Sequence, residues 1–491
     1  MARGLLVAGT TSDAGKSLVT AGICRWLARE GVSVAPFKAQ NMSNNSMVCR
    51  DGSEIGRAQW IQALAASAEP EAAMNPVLLK PGSDRRSHVV VLGQPWGHLE
   101  SGEWATGRTA LAEQAFAAYD DLAARFDVVI AEGAGSPAEI NLREGDYVNL
   151  GLARAKDLPV VVVGDIDRGG VLAAMFGTLA ILDPEDQVHV RAWIINKFRG
   201  DLDLLRPGLQ MLEDRTDRPV LGVLPFLSGV WLDSEDGLST AGWPGGTARH
   251  DGGERLSVAV VRLPRASNTT DVDALACEPG VDVVVTTDPR VVLAADLCVL
   301  PGTRATLADL QWVRDTGVAE AVVRRAGTGR PVLGVCGGFQ MMAEQIDDPH
   351  AVESPSSAMV PGLGLLPTRV RFEVGKHLGT PTGSWRGTEV SGYLIHHGVS
   401  RVLREGDGEP FLDGWSSDGC YGTTWHGAFE SDAFRRAFLR EVAGRVGSGW
   451  TPSPHAPGFA AARQGMLEVL GDAVADHLDT TALRALLEGK P

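Results

Sequence analysis

No stretch of this 491-residue sequence approaches the ~20 consecutive apolar residues that cross a bilayer, and runs such as Leu158 to Gly164 stop far short. The N-terminus has no basic region leading into a long apolar stretch, so no secretory leader is indicated and a cytoplasmic location is expected. Positive charge is scarce: 45 Lys and Arg face 61 Asp and Glu, a formal charge of −16. Nucleic acid and anionic membrane surfaces both require a basic face, so neither is an expected partner. Six cysteines occur without a single CxxC pair, which points away from zinc sites and disulfide frameworks. Lysine is rare, at seven residues, yet Lys16, Lys38, Lys80 and Lys197 all fall in glycine- or asparagine-rich segments that read as sites below. In an arginine-biased chain this placement suggests a need for compact ammonium groups.

The composition, 44% hydrophobic and 22% charged, is that of a globular protein with chain enough for roughly two large or three ordinary domains. Short β-branched runs at Leu5 to Ala8, Val128 to Ala131, Val160 to Val163 and Trp193 to Asn196 alternate with helical stretches, beginning with Ser17 to Glu30. Such alternation predicts βαβ units and a doubly wound parallel sheet. The pattern restarts after an aperiodic Gly/Asp/Thr/Pro-rich stretch, with strands expected at Leu256 to Val261, Val281 to Thr286, Leu297 to Leu300 and Val332 to Val335. Two α/β domains follow, at 1–235 and 255–445, joined by a linker at 236–254 and trailed by a linker and helical tail at 446–491.

Two motifs carry chemistry. GTTSDAGKS, Gly9 to Ser17, follows a strand and opens a helix, the context in which backbone N–H groups cradle phosphates. Gly9, Thr10 and Gly15 shape that loop, Lys16 reaches the outer phosphates, and Ser17 is placed to hold Mg²⁺. Five residues separate Gly9 from Gly15, one more than in the common pattern. Glu132, at the end of the strand in VVIAEGAGS, suits a metal on nucleotide phosphates, and Asn196 at another strand end suits the adenine edge. ATP and Mg²⁺ are the expected ligands. In the second half, Gly334-Val335-Cys336-Gly337-Gly338 is the cysteine counterpart of a strained nucleophile elbow. It offers Gly337 N–H as an oxyanion donor, with a second donor expected from the turn Pro301 to Thr303, centred on Gly302. A cysteine nucleophile needs a base, and His396, His397 and His426 all lie downstream. His426, in a Gly-flanked loop-like stretch, is the preferred partner; the other five cysteines read as structural.

With these motifs in place the chain resembles the cobyric acid synthases, glutamine-hydrolysing amide ligases of cobalamin biosynthesis. PFKAQNMSNNS (Pro36 to Ser46), EIGRAQ, MNPVLLKPGSDRRS, GDIDRGG, INKFRGD and LPRASNTTDVDAL carry the resemblance together with the loop and the elbow, nearly to residue 440. KAQNMS and DIDRGG separate this family from the related dethiobiotin synthetases and cobyrinic acid a,c-diamide synthases. The resemblance implies a P-loop, dethiobiotin synthetase-like domain followed by a class I-like, flavodoxin-like glutamine amidotransferase domain. It also implies L-glutamine as ammonia donor and amidation of four peripheral carboxylates (b, d, e, g) of a corrinoid, adenosylcobyrinic acid a,c-diamide, to give adenosylcobyric acid. By that likeness Asp13 lies near nucleotide, Glu54 near metal, and Lys38, Gln40, Asn41 and Arg168 near the acyl phosphate. Class I amidotransferases carry Glu two residues after the catalytic His; here that position is Ala428, with Glu430 beyond it, so the third triad member stays open. A polycarboxylate substrate in an acidic protein needs a local positive pocket, expected from Arg85, Arg86, Arg143, Arg168 and Arg199. Two alternatives remain: a ligase of the same build acting on another polycarboxylate, or a regulatory ATPase fused to an inactive amidotransferase module. A homo-oligomer is compatible with either.

Overall fold

The computed structural model describes residues 3–81, 86–100, 104–231 and 254–489. Most of the expected linker, with Arg85 and the side chain of Arg86, lies outside them. The chain forms two units, one of Met1–Ser43, Cys49–Leu232 and Gln464–Pro491, the other of Asn44–Val48 and Asp233–Arg463. No helix among the described residues is long and apolar enough to cross a membrane.

The first unit is built on six parallel strands: β1 (Arg3–Gly9), β2 (Val34–Phe37), β3 (Val128–Glu132), β4 (Val160–Asp165), β5 (Val190–Phe198) and β6 (Val220–Pro225), in the order β6-β5-β4-β1-β3-β2. Leu5 to Ala8 and Val160 to Val163 are entirely buried, because central parallel strands are covered on both faces and so read as unbroken apolar runs. Parallel pairing places the C-terminal ends of β1, β3, β4 and β5 at one sheet edge, with the order reversing around β1, where open α/β sheets bind ligands. A smaller sheet from Gln40–Met42, Val77–Pro81, Arg86–Val91 and Gln94–Glu100 is added to this frame.

The C-terminal tail, set apart as a trailing segment by the sequence reading, divides at Gln464: up to Arg463 it belongs to the second unit, and from Gln464 on it is part of this first unit. Its helices Phe459–His477 and Thr480–Leu487 bury Leu467, Leu470, Val474, Leu483 and Leu487 in the core that contains helix α1 (Lys16–Arg29). Gly22 permits the approach, since a Cβ there would lie 2.8 Å from Leu470 O. Arg25 pairs with Glu468 and Arg29 with Asp472 beside it. Asp479 N donates to Leu221 O at 2.7 Å, so the tail also covers the outer edge of β6.

The second unit carries β7 (Leu256–Val261), β8 (Val281–Thr286), β9 (Leu297–Leu300), β10 (Val332–Val335), β11 (Glu409–Phe411), β12 (Gly414–Ser417) and β13 (Cys420–Thr423), in the order β8-β7-β9-β10-β13-β12-β11. All are parallel through β13, and β12 and β11 close the sheet antiparallel. The ends of β7, β9, β10 and β13 therefore share one edge. Ala358–Pro361, Gln345–Asp348, Thr368–Gly379 and Leu394–Val402 form a further mixed sheet.

Candidate active sites

In the first unit, the turn after β1 is shaped by glycines. Gly15 takes φ +93°, and a Cβ there would lie 2.2 Å from Asn196 Nδ2. Lys16 is buried, with Nζ donating to Thr11 O, Ser12 O and Gly135 O at 3.0, 3.1 and 3.1 Å. Ser17 Oγ donates to Glu132 Oε1 at 2.8 Å, Lys38 Nζ reaches the same oxygen at 2.9 Å, and Gln62 Nε2 donates to Oε2 at 2.5 Å. Burial alone would raise the pKa of Glu132; the charge and hydrogen bond of Lys38, the Gln62 amide and Lys16 outweigh it and hold the group below its ordinary value. A fully buried carboxylate beside a serine hydroxyl at a phosphate loop is an oxygen donor set of the kind Mg²⁺ takes, with waters and nucleotide oxygens supplying the remainder. No cage of three or more His, Cys, Asp or Glu occurs among the described residues.

The other expected residues fall around this centre with partners of their own. Glu54 forms a buried ion pair with Lys80. Asn41 Nδ2 donates to Gln59 Oε1 at 3.0 Å, and Gln40 accepts from the Tyr147 hydroxyl. Thr10 N donates to Val163 O at 2.9 Å, fixing the loop to β4. Asn196 has its amide engaged inside the protein, with Nδ2 donating to Ala14 O at 2.9 Å and Oδ1 accepting from Lys197 N; it braces the phosphate loop where an adenine contact was expected. Arg168 pairs with Asp13 at 2.8 Å, and Lys197 Nζ bridges Asp13 O and Asp165 Oδ2 at 2.7 and 2.8 Å. The arginine pocket is not seen as expected. Arg143 makes a bidentate pair with buried Asp186, and Arg199 faces Asp167 at 3.6 Å while its guanidinium lies over the Phe226 ring. Each described arginine side chain of that set thus meets a carboxylate, and buried positive charge beside the loop comes from Lys16 and Lys38.

In the second unit, Cys336 turns the chain from β10 into the helix Gly337–Met342 at φ +50°, ψ −110°, a strained conformation for a residue with a Cβ. Its N–H is tied to Thr423 O at 2.7 Å. The flanking glycines are required by contact: a Cβ at Gly338 would lie 2.0 Å from Leu300 O, and one at Gly337 2.6 Å from Thr303 Cγ2. The two expected oxyanion segments therefore pack together. Gly302 lies against the imidazole, where a Cβ would come within 2.7 Å of His426 Cε1. His426 is fully buried; Nδ1 lies 3.1 Å from Asp271 Oδ2, while Nε2 has no hydrogen-bond partner at normal geometry. Burial opposes protonation of His426, but Cys336 and Asp271 favour the imidazolium and carry its pKa up to about 10. By contrast burial lowers His396 and His397 to about 4, leaving them neutral near pH 7. Burial pushes Cys277, Cys298 and Cys420 up to about 12 and Cys49 to about 11, and raises Cys24 further still.

Asp271 is the residue the sequence reading missed. It also accepts from Gly427 N at 2.6 Å, so one carboxylate grips both the ring and the backbone after it, whereas Glu430 is paired with Arg463. Its only trace in the sequence is its place within LPRASNTTDVDAL, 155 residues before His426. Asp271→Asn is expected to slow glutamine hydrolysis by roughly 10²- to 10⁴-fold, as loss of the residue that fixes an imidazole does elsewhere. Removing the negative charge lowers the pKa of His426, so the alkaline limb of the pH profile moves to lower pH; a profile unchanged in rate and position would contradict the assignment.

These features define a class: a nucleotide-binding P-loop unit in one chain with a glutamine amidotransferase unit. Family models agree, the CobQ/CobB/MinD/ParA nucleotide binding domain matching residues 5–240 and the CobB/CobQ-like glutamine amidotransferase domain residues 257–434. Curated relatives named cobyric acid synthase share 58% identity: from Cutibacterium acnes over 99% of this chain and 99% of theirs, from Mycolicibacterium vanbaalenii over 99% and 97%, and from Mycobacterium tuberculosis over 98% and 96%. The chain belongs to the cobyric acid synthase family, and it is a ligase with an amidotransferase domain.

Proposed function

We propose that the protein amidates the b, d, e and g carboxylates of adenosylcobyrinic acid a,c-diamide, consuming one ATP and one L-glutamine for each. The observation that carries this reading is the Cys336–His426–Asp271 constellation on a strained elbow, in a chain whose other unit seats Lys16, Lys38 and Glu132 around a phosphate loop.

A carboxylate is a poor electrophile, so its oxygen first attacks the γ-phosphorus of ATP, giving an acyl phosphate and releasing ADP. Lys16 and Lys38 bring positive charge to a step in which nucleophile and donor are both anionic. Ser17 and Glu132 would hold Mg²⁺, which supplies charge neutralisation on the phosphates. Ammonia then attacks the acyl carbon, and phosphate leaves. In the second unit the Cys336 thiolate attacks the glutamine side-chain carbonyl, with Gly337 and Gly302 N–H groups assigned to the oxyanion. His426, protonated at neutral pH, gives a proton to the departing ammonia, and water hydrolyses the thioester to glutamate. Asp271 keeps the ring in the orientation both proton transfers need.

Incubation with ATP, Mg²⁺, glutamine and the a,c-diamide, followed by mass spectrometry, is expected to show four successive carboxyl-to-amide shifts. Amidation stopping at two, or occurring only on cobyrinic acid, would assign the chain to another ligase of this architecture.

A further inference from the structure

The stretch Pro36 to Ser46 divides at Ser43. Gln40–Met42 is paired with Val77–Pro81 and Ser43 N donates to Leu79 O at 3.0 Å, all within the first unit. The next five residues, Asn44–Val48, belong to the second unit, where they meet two elements that hold the catalytic imidazole. Asn268 is clasped by two successive residues: Asn268 N donates to Asn45 Oδ1 at 2.7 Å, and Ser46 N donates to Asn268 Oδ1 at 2.8 Å. All three residues are buried, and Asn268 takes φ +51°, a conformation an asparagine tolerates. Three residues further on is Asp271, and one residue back Ser267 N donates to Gly302 O at 2.8 Å. Val48 packs with Tyr393 and Ile395. Tyr393 exchanges backbone hydrogen bonds with His426 at 2.9 and 3.0 Å, and their rings stack at 5.4 Å.

Resting on the amidotransferase reading above, we propose that Asn44–Val48 is a positioning strap for the glutaminase, with Asn45 its key residue, through which occupancy of the ATP and corrinoid site sets glutamine turnover. The strap bears on Asp271 through Asn268 and on His426 through Tyr393. Only Asn44 separates the last anchor on Ser43 from the first on Asn45, so displacement of the Lys38–Met42 segment by ligand reaches the Asn268 clasp with little slack. Coupling then needs only that the clasp favour one imidazole geometry over another.

The test compares wild type, Asn45→Ala and Asn268→Gly, the latter tolerating the positive φ while losing the side-chain acceptor. Measured are glutamine hydrolysis with and without ATP plus corrinoid, its pH profile, and amidation driven by ammonium chloride. Both variants are expected to lose about tenfold or more of ligand-stimulated hydrolysis, to shift its pH profile, and to keep ammonia-driven amidation within about twofold of wild type. Stimulation preserved in both variants, or parallel loss of ammonia-driven amidation, would overturn the strap. If the wild type shows no glutamine hydrolysis dependent on Cys336, the underlying amidotransferase reading fails instead.

Discussion

Cys336→Ala is expected to lower glutamine-dependent amidation by about 10⁴-fold or more while leaving amidation with added ammonium salts near the wild-type rate. The elbow explains the size of the first effect. Cys336 holds a strained φ, its N–H is tied to Thr423 O, and the glycines around it are close-packed on Leu300 and Thr303, so no neighbouring side chain can take its place. The buried His426 imidazole then has no thiolate to serve, and it loses the neighbouring charge that most favours its protonated form. Sparing of the ammonia-driven reaction follows because the phosphate loop, Glu132 and Lys38 belong to a separate unit with its own core. Alanine at a position 5% exposed removes only one sulfur atom from a packed site, so folding should be little affected. Rates measured with glutamine and with ammonium chloride on the same preparation check the prediction; equal loss of both would show that Cys336 does more than feed ammonia.

The sequence revealed those parts of this molecule whose physical signature is local. Val160 to Val163 announces a strand because every residue is buried on one face or the other, and Gly-Lys-Ser after such a strand announces a phosphate loop. Cys336 was readable for the same reason, since the elbow's glycines are adjacent in the chain. Asp271 was not, because a carboxylate gripping an imidazole 155 residues away leaves no spacing to detect. The tail illustrates a different limit. Leu467, Leu470 and Val474 mark a helix with one apolar face, but nothing in that pattern names α1 as the surface it covers. Gly22, whose missing Cβ admits Leu470 O, could equally be a weak point in a surface helix until its partner is seen. The added sheets were also obscure: Gln40–Met42 has only three residues, and Thr368–Gly379 loses its alternation after Phe372 as it runs into solvent. The arginines misled because charge counting does not reveal which carboxylate each already faces, as Arg143 does Asp186.

Lys16→Ala is expected to abolish amidation with either nitrogen source, by about 10³-fold or more, the scale on which a single cation acts on a transferring phosphoryl group. Glutamine hydrolysis measured without ATP should persist, since Cys336, His426 and Asp271 lie in the other unit. The ammonium of Lys16 is held at 3.0 to 3.1 Å by the carbonyls of Thr11, Ser12 and Gly135, so it is placed within the loop before any phosphate arrives. Lys38 cannot replace it, because its Nζ is bound to Glu132 Oε1 and losing that contact would leave a buried carboxylate undercompensated. Arginine at position 16 should fail nearly as badly, since a planar guanidinium cannot occupy a seat formed by three carbonyls around one nitrogen. Near-normal ammonia-driven turnover in Lys16→Ala would contradict the phosphate-loop assignment. Loss of ATP-free glutamine hydrolysis together with amidation would show that Lys16 supports the fold of both units, and the assignment would then lose its kinetic support.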